Sequence, residues 1–321
     1  MIKNYMTSDD LIRSVKLRAF LPTNQSTFTD EDFLMFANEE MSVGLVPSIM
    51  RLHEDYFLYI QEITIQPNMS RFQIPYRAIG SKLRDVSLKD ETGNFFEMTR
   101  INVGEIPFYN GGAHGVRPYA FYLENNQVVL APERVSFVYG AKIRLTYYMR
   151  PNSLVKLDQV AVISSINTTT GEITLSNIPS TFAVDHDYDI VSVRSPNKTL
   201  AFDVQATSIV NSGSTMVMTF DPALLPPMLA EGDHICLAGT TAIPQIPSDL
   251  HVILAQRVAA RCLEAMGDSE GLQNANAKLA EMTTLSEYLI DNRVEDAPQK
   301  INNRHATIRS GLSRRSRFRR F

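Results

Sequence analysis

The spacing of apolar residues changes twice along this chain, and those two changes constrain its fold more than any other feature. Up to about residue 60, apolar positions recur at intervals of three and four, the period of a helix. From about Ile63 they alternate, the period of a strand, and from Pro247 the helical period returns. Such a pattern predicts an α+β chain in which terminal amphipathic helices bracket one long β-rich insertion.

Local signals mark where each element starts. Thr7-Ser8-Asp9-Asp10 supplies an N-cap hydroxyl and first-turn acids, and Leu11, Ile12, Val15 and residues 17–20 follow until Pro22 stops the run. Thr29-Asp30-Glu31-Asp32 repeats the signal, with an acid three places after the cap, ahead of Phe33, Phe36, Ala37, Met41 and Leu45. The stripe of Ile49, Leu52, Tyr56 and Tyr59 predicts a third helix over 48–60, so that residues 1–62 form a helical hairpin with an apolar face.

Short β-forming runs at 63–65, 71–74, 85–88, 119–123, 128–130 and 142–148 are separated by Gly93-Asn94, Asn125-Asn126 and Pro132-Glu133. They define a first β-rich region, 63–150. A second series, at 160–166, 172–175, 188–193, 204–210, 216–220 and 234–237, reads as a separate barrel or sandwich over 151–245. Helices return over 246–292. Leu250, Ile253, Leu254 and Val258 lead to a stop at Gly267, and a last helix after Asp268 carries Leu272, Ala275, Leu279, Met282, Leu285, Leu289 and Ile290. Leu250, Ile253, Leu254, Val258, Leu279 and Leu289 are the expected core or subunit stripe.

A formal net charge of −4 conceals an asymmetry. Lys300, Arg304, Arg309, Arg314, Arg315, Arg317, Arg319 and Arg320 give +8 without an acid over 300–321, and −4 minus +8 leaves −12 on residues 1–299. The extended tail over 293–321 has too little apolar area to fold alone and needs a partner to become ordered. Its arginines suit either an acidic groove on a protein or phosphates of a nucleic acid, with plain solubilisation as the third reading. Phe318 and Phe321 favour protein docking, because a solvating tail gains nothing from phenylalanine.

At 44% hydrophobic and 21% charged residues, the chain can bury a core without disulfides, and Cys236 and Cys262 are too few for a framework or a four-cysteine zinc site. No run approaches the roughly 18 to 20 apolar residues of a membrane span, and Met1 to Tyr5 has no leader-like hydrophobic core, so a soluble chain without a membrane partner is expected. The sequence has no phosphate-loop, dinucleotide, zinc-protease, serine-hydrolase or CxxC motif, so no catalytic residue, metal ligand or cofactor is assigned. Asn110-Gly111-Gly112-Ala113-His114-Gly115 could cradle an anion but has no strand-to-helix setting with a lysine, and reads as a β-loop. Asp185-His186-Asp187, with His234 as a distant ligand, reads as a polar turn entering a strand. His53, His114, His251 and His305 are dispersed helix or loop residues.

The opening run Met6-Thr7-Ser8-Asp9-Asp10-Leu11-Ile12, with Phe28-Thr29-Asp30-Glu31-Asp32-Phe33-Leu34-Met35-Phe36-Ala37-Asn38-Glu39-Glu40-Met41, resembles the start of tailed-bacteriophage head-to-tail adaptor (connector) proteins of the short-tailed phage type. Residues 292–304, with Ile308-Arg309, resemble their closing segment; together the likeness covers roughly the first 60 and last 75 residues. The β-rich insertion departs from the smallest adaptors, which are mostly helical. The resemblance implies a structural virion protein, not an enzyme, assembled in the host cytoplasm into a homo-oligomeric ring, a dodecamer, at the virion neck. Such a ring joins the portal protein to tail nozzle or fibre proteins and lines the channel through which DNA passes without specific recognition. The resemblance also implies a C-terminal tail that docks on the portal, here Arg304, Arg309, Arg314, Arg315, Arg317, Phe318, Arg319, Arg320 and Phe321. The alternative is a carbohydrate- or host-surface-binding β module of a tail protein, stacking ligand on Phe108, Tyr109, Tyr119 and Tyr122.

Overall fold

Both N-terminal capping signals close into reciprocal boxes. In the computed structural model, which describes residues 5–22, 26–66, 69–90, 92–110, 120–131, 141–194, 198–213 and 215–290, Thr7 Oγ1 accepts from Asp10 N at 3.3 Å, and Thr7 N donates to Asp10 Oδ2 at 3.2 Å. Thr29 and Asp32 repeat the exchange at 3.2 and 2.7 Å. These boxes open α1 (Ser8–Arg18) and α2 (Asp30–Glu39). From α2 the helix runs on through a π-helical stretch (Glu40–Leu45) into α3 (Val46–Leu52), Val46 N reaching back five residues to Met41 O. Pro47 has no N–H for the Val43 carbonyl and its ring would press on it, and the turn before it widens instead of ending.

The third helix expected over 48–60 is shorter. It ends at Leu52, and after a 3-10 turn (Glu54–Phe57) the strand β1 (Leu58–Thr64) begins. Tyr59 fits both a helical stripe and an alternating one; pairing of all seven β1 residues with a later strand decides for the strand.

The first β-rich stretch contains β1, β2 (Arg71–Gln73), β3 (Ala78–Lys89), β4 (Phe95–Glu97), β5 (Thr99–Arg100), a short helix α4 (Ile106–Asn110), β6 (Ala120–Glu124), β7 (Gln127–Ala131) and β8 (Lys142–Met149). Two four-stranded sheets, ordered β1-β8-β3-β4 and β2-β7-β6-β5, face one another. Alternate residues Ile143, Leu145 and Tyr147 of β8 share a core with Phe72, Val128 and Leu130 of the other sheet. Asn125 and Asn126 both take positive φ (47° and 60°), the two-residue turn that joins β6 to β7 with matching twist.

The second stretch contains β9 (Ser153–Leu154), β10 (Ala161–Asn167), β11 (Glu172–Ser176), β12 (Asp187–Val191), β13 (Thr199–Gln205), β14 (Ser208–Ser212), β15 (Thr215–Thr219), β16 (His234–Leu237) and β17 (Thr240–Thr241). Seven of these strands form one sheet ordered β13-β12-β16-β10-β11-β15-β14, while β9 and β17 pair in parallel. The sheet is curled into a barrel. Tyr188 on β12 and Phe220 just after β15 are four strands apart, about 19 Å on a flat sheet, yet their ring centroids lie 6.4 Å apart. The run at 204–210, expected as one strand, bends at Ala206-Thr207 and serves both sheet edges, as β13 and β14.

Finally α5 (His251–Met266) and α6 (Ser269–Ile290) return to the N-terminal helices. Gly267 stops α5 at φ 74°, and the Asp268 carboxylate caps the next helix by accepting from Gly271 N at 2.9 Å. Leu11, Val15, Phe33, Ala37, Ile49, Leu254, Val258 and Cys262 share one helical core in which α5 is central, touching α1, α2 and α6. Residues Met1–Ile290 make one compact unit, and the rest of the chain, including the tail residues singled out above, lies outside the described residues. The fold is α+β with a large β-rich part. Among the described residues, no helix is long and apolar enough to cross a membrane.

Candidate functional site

The α5 stripe expected from the sequence is core within the subunit. Leu250, Ile253, Leu254 and Val258 are all buried among α1, α2 and α6. Leu279 on α6 is partly buried against the same core, whereas Leu285 is 60% exposed and the Leu289 side chain lies outside the described residues.

Polar residues of the opening segment fasten the N-terminal helices to α5 and to the chain around Leu154. Glu40 accepts from Arg257 at 3.2 Å and from Arg261 at 2.7 Å, both on α5. Gly44 makes this possible, since a Cβ there would lie 2.5 Å from Arg257 Nη1. Arg18 donates to Gln256 at 2.8 Å. Asn38 behaves like a strand partner for Leu154, accepting from its N–H at 2.7 Å and donating to its carbonyl at 3.2 Å. Beside exposed charged residues such as Asp9, Asp10, Arg13 and Glu31, this module leaves four large apolar side chains uncovered: Leu17, Phe20, Met35 and Val43 are 68, 91, 50 and 80% exposed. Met35 and Val43 also line a groove of about 540 Å³ between α2 and the chain around Leu154.

A second feature joins the two β bodies. Arg77, in the turn between β2 and β3, is 6% exposed and uses all five of its N–H groups. It grips Asp189 of β12 through Nη1 and Nη2 (2.9 Å each), Asp203 of β13 through Nε and Nη2 (3.2 and 2.6 Å), and Asn152 Oδ1 through Nη1 (3.0 Å). Asp189, fully buried, also accepts from Asn152 Nδ2 (2.7 Å), Gly239 N (2.9 Å) and Asp203 N (3.1 Å). The last contact depends on a left-handed Asp203 backbone (φ 51°) at an irregularity in the β12–β13 pairing. The Tyr76 hydroxyl completes the cluster at 2.7 Å from Asp203 Oδ1. Burial works against the Arg77 charge, but bonds and charges of Asp203 and Asp189 outweigh it and hold the guanidinium above its ordinary pKa. Burial likewise opposes ionisation of Asp203, and the bonds from Arg77 and Tyr76 hold its carboxyl below the usual range. Tyr76 is pushed up to about 12, chiefly by burial and then by its bond to Asp203.

The remaining sequence candidates fare differently. Asp185 and His186 are exposed turn residues and Asp187 is the exposed first residue of β12, with His186 Nδ1 3.1 Å from Thr181 O; His234 is buried on β16. Among the described residues, no group of three or more His, Cys, Asp or Glu is placed to hold a metal ion. His251 opens α5, where Nε2 donates to the carbonyls of Pro244 (3.1 Å) and Ile246 (3.3 Å). The glycine cluster 111–115 and Tyr119 lie outside the described residues, as does the Tyr109 side chain. Of the four aromatics, Phe108 is 82% exposed, but Tyr122 is 4% exposed and corrects the expectation of an exposed row. Phe121 takes the sandwich face of β6, which turns Tyr122 to the opposite face, among Ile101, Ile106 and Val129 beside α4.

Sequence reasoning missed the Arg77 cluster altogether. The available signal was Asp189, an acid inside the otherwise apolar run Tyr188-Asp189-Ile190-Val191. Compared with protein-family models and with curated proteins, the chain finds no match in either.

Proposed function

We propose that this chain is a non-enzymatic structural protein of a phage virion, a head-to-tail adaptor that assembles as a ring between portal and tail. The observation that carries this reading is the helical module. The opening segment that resembles the adaptor start contributes Asn38 of α2, which ties it to the barrel approach, and Glu40 of the π-helical stretch, which ties it to α5, and the module leaves Leu17, Phe20, Met35 and Val43 uncovered. Exposed apolar side chains on a rigid scaffold suit repeated contacts between subunits. A charge of −12 on residues 1–299 suits a DNA conduit, because like charge keeps the duplex from adhering to the channel wall. In this reading the basic tail is the portal anchor, and the β bodies face tail proteins or fibres.

The test is the mass of the purified protein with and without its portal partner, by native mass spectrometry and electron microscopy. A twelve-subunit ring formed on the portal is the expected result. A monomer whose mass the portal does not change would overturn the reading.

A further inference from the structure

Three strand edges meet where the sandwich faces the barrel. Strands β1, β2 and β13 each end the order of their sheets, and among the described residues each pairs on one side only. All three line the same cleft of about 940 Å³, floored by apolar side chains such as Ile63, Phe72 and Phe202. Edge strands present alternate N–H and C=O groups to whatever lies beside them, so this cleft can accept an added strand.

Two residues that line the cleft carry acceptors without a full set of donors among the described residues. Gln61 lines the cleft, and its Oε1 is buried without a hydrogen-bond partner among the described residues. Asp203 offers about four lone-pair sites, and Arg77 and Tyr76 supply three bonds, two to Oδ1 and one to Oδ2. The clasp as a whole sets one guanidinium against two carboxylates, Asp189 and Asp203, which leaves one negative charge, and the Asp203 side chain is 36% exposed. An occupant must therefore bring hydrogen-bond donors, apolar side chains at a spacing of two, and a positive charge.

We propose that the cleft between β1, β2 and β13 binds an extended segment of a partner polypeptide, with alternating apolar residues and an arginine or lysine that meets Asp203. The site stands whether or not the chain forms a ring.

The test uses the full chain and two end-capped synthetic nonapeptides, Thr-Val-Thr-Val-Arg-Val-Thr-Val-Thr and the same peptide with glutamate replacing arginine. The arginine peptide should slow amide exchange in β1, β2 and β13, and should bind about tenfold more tightly than the glutamate peptide. Gln61→Leu removes the stranded acceptor, so it should raise the melting temperature of the free protein and weaken the arginine peptide. Asp203→Asn should erase the preference between the peptides. Protection on another surface, equal binding of the two peptides, or unaltered affinity in Gln61→Leu would overturn the proposal. So would two further outcomes: a water molecule satisfying Gln61 while neither peptide binds, or protection that appears with protein concentration alone, which would assign the cleft to a second copy of this chain.

Discussion

His251 shows how a titratable residue can serve the fold alone. Its ring is buried at the start of α5, where Nε2 donates to two carbonyls that close the turn before the helix. Burial pushes its pKa below the ordinary value, against the two carbonyl bonds, which favour the charged ring. The folded state thus binds the proton less readily than the unfolded chain. Its contribution is present above the unfolded value of about 6.5 and is lost as pH falls toward the lower folded value. The urea midpoint should fall as pH drops below about 6.5, and His251→Gln should flatten the curve there; parallel curves for the two proteins would refute this role. Arg77 carries a larger cost. Arg77→Ala leaves Asp189 buried without its main counter-charge, and should destabilise the protein by about 3 to 5 kcal/mol in urea unfolding. A loss under 1 kcal/mol would mean that water replaces the guanidinium.

At the scale of elements, the barrel depends on the turn between β10 and β11. Gly171 has φ 75°, and a Cβ there would lie 2.1 Å from Phe220 O, while Phe220 N donates to Gly171 O at 2.9 Å. Gly171→Ala should therefore cost on the order of 3 kcal/mol and loosen β15 first, which amide exchange would register. In the helical module, Leu254→Asp puts a carboxylate at a fully buried position on α5, and should prevent folding of the isolated subunit, read by circular dichroism. A folded mutant defective only in assembly would place Leu254 at an interface instead of in the core. Helix starts and stops were legible in the sequence, because Thr7, Thr29, Asp268 and Gly267 act through bonds within a turn of themselves. The switch of period was equally legible. What escaped is what distant packing decides: Tyr59 goes into a strand because β8 pairs with it, and the 204–210 run bends because the barrel must close. Tyr122 was misread for the same reason, since nothing near it in sequence announces α4. The Arg77 cluster joins residues 77, 152, 189 and 203, and no local pattern encodes that convergence.

At the scale of the whole molecule, the division of charge sets up the experiment that separates the readings of the tail. Residues 300–321 carry +8, and residues 1–299 carry −12. The Met1–Ile290 unit has its own helical core, sandwich core and barrel core, so deletion of 305–321 should leave its melting temperature unchanged. On the adaptor reading proposed above, the same deletion should abolish attachment to the portal. If Phe318 and Phe321 are anchors, binding should survive moderate salt, because burial of apolar surface is not screened, and Phe318→Ala should weaken it sharply. If the arginines grip phosphate, the logarithm of affinity should instead fall linearly with the logarithm of salt, with a slope set by the number of charges neutralised, and Phe318→Ala should matter little. The expected outcome is the first. Pull-down of the truncated chain at full strength would remove the tail from the interface altogether, and a steep salt slope with an indifferent Phe318 would reassign it to nucleic acid.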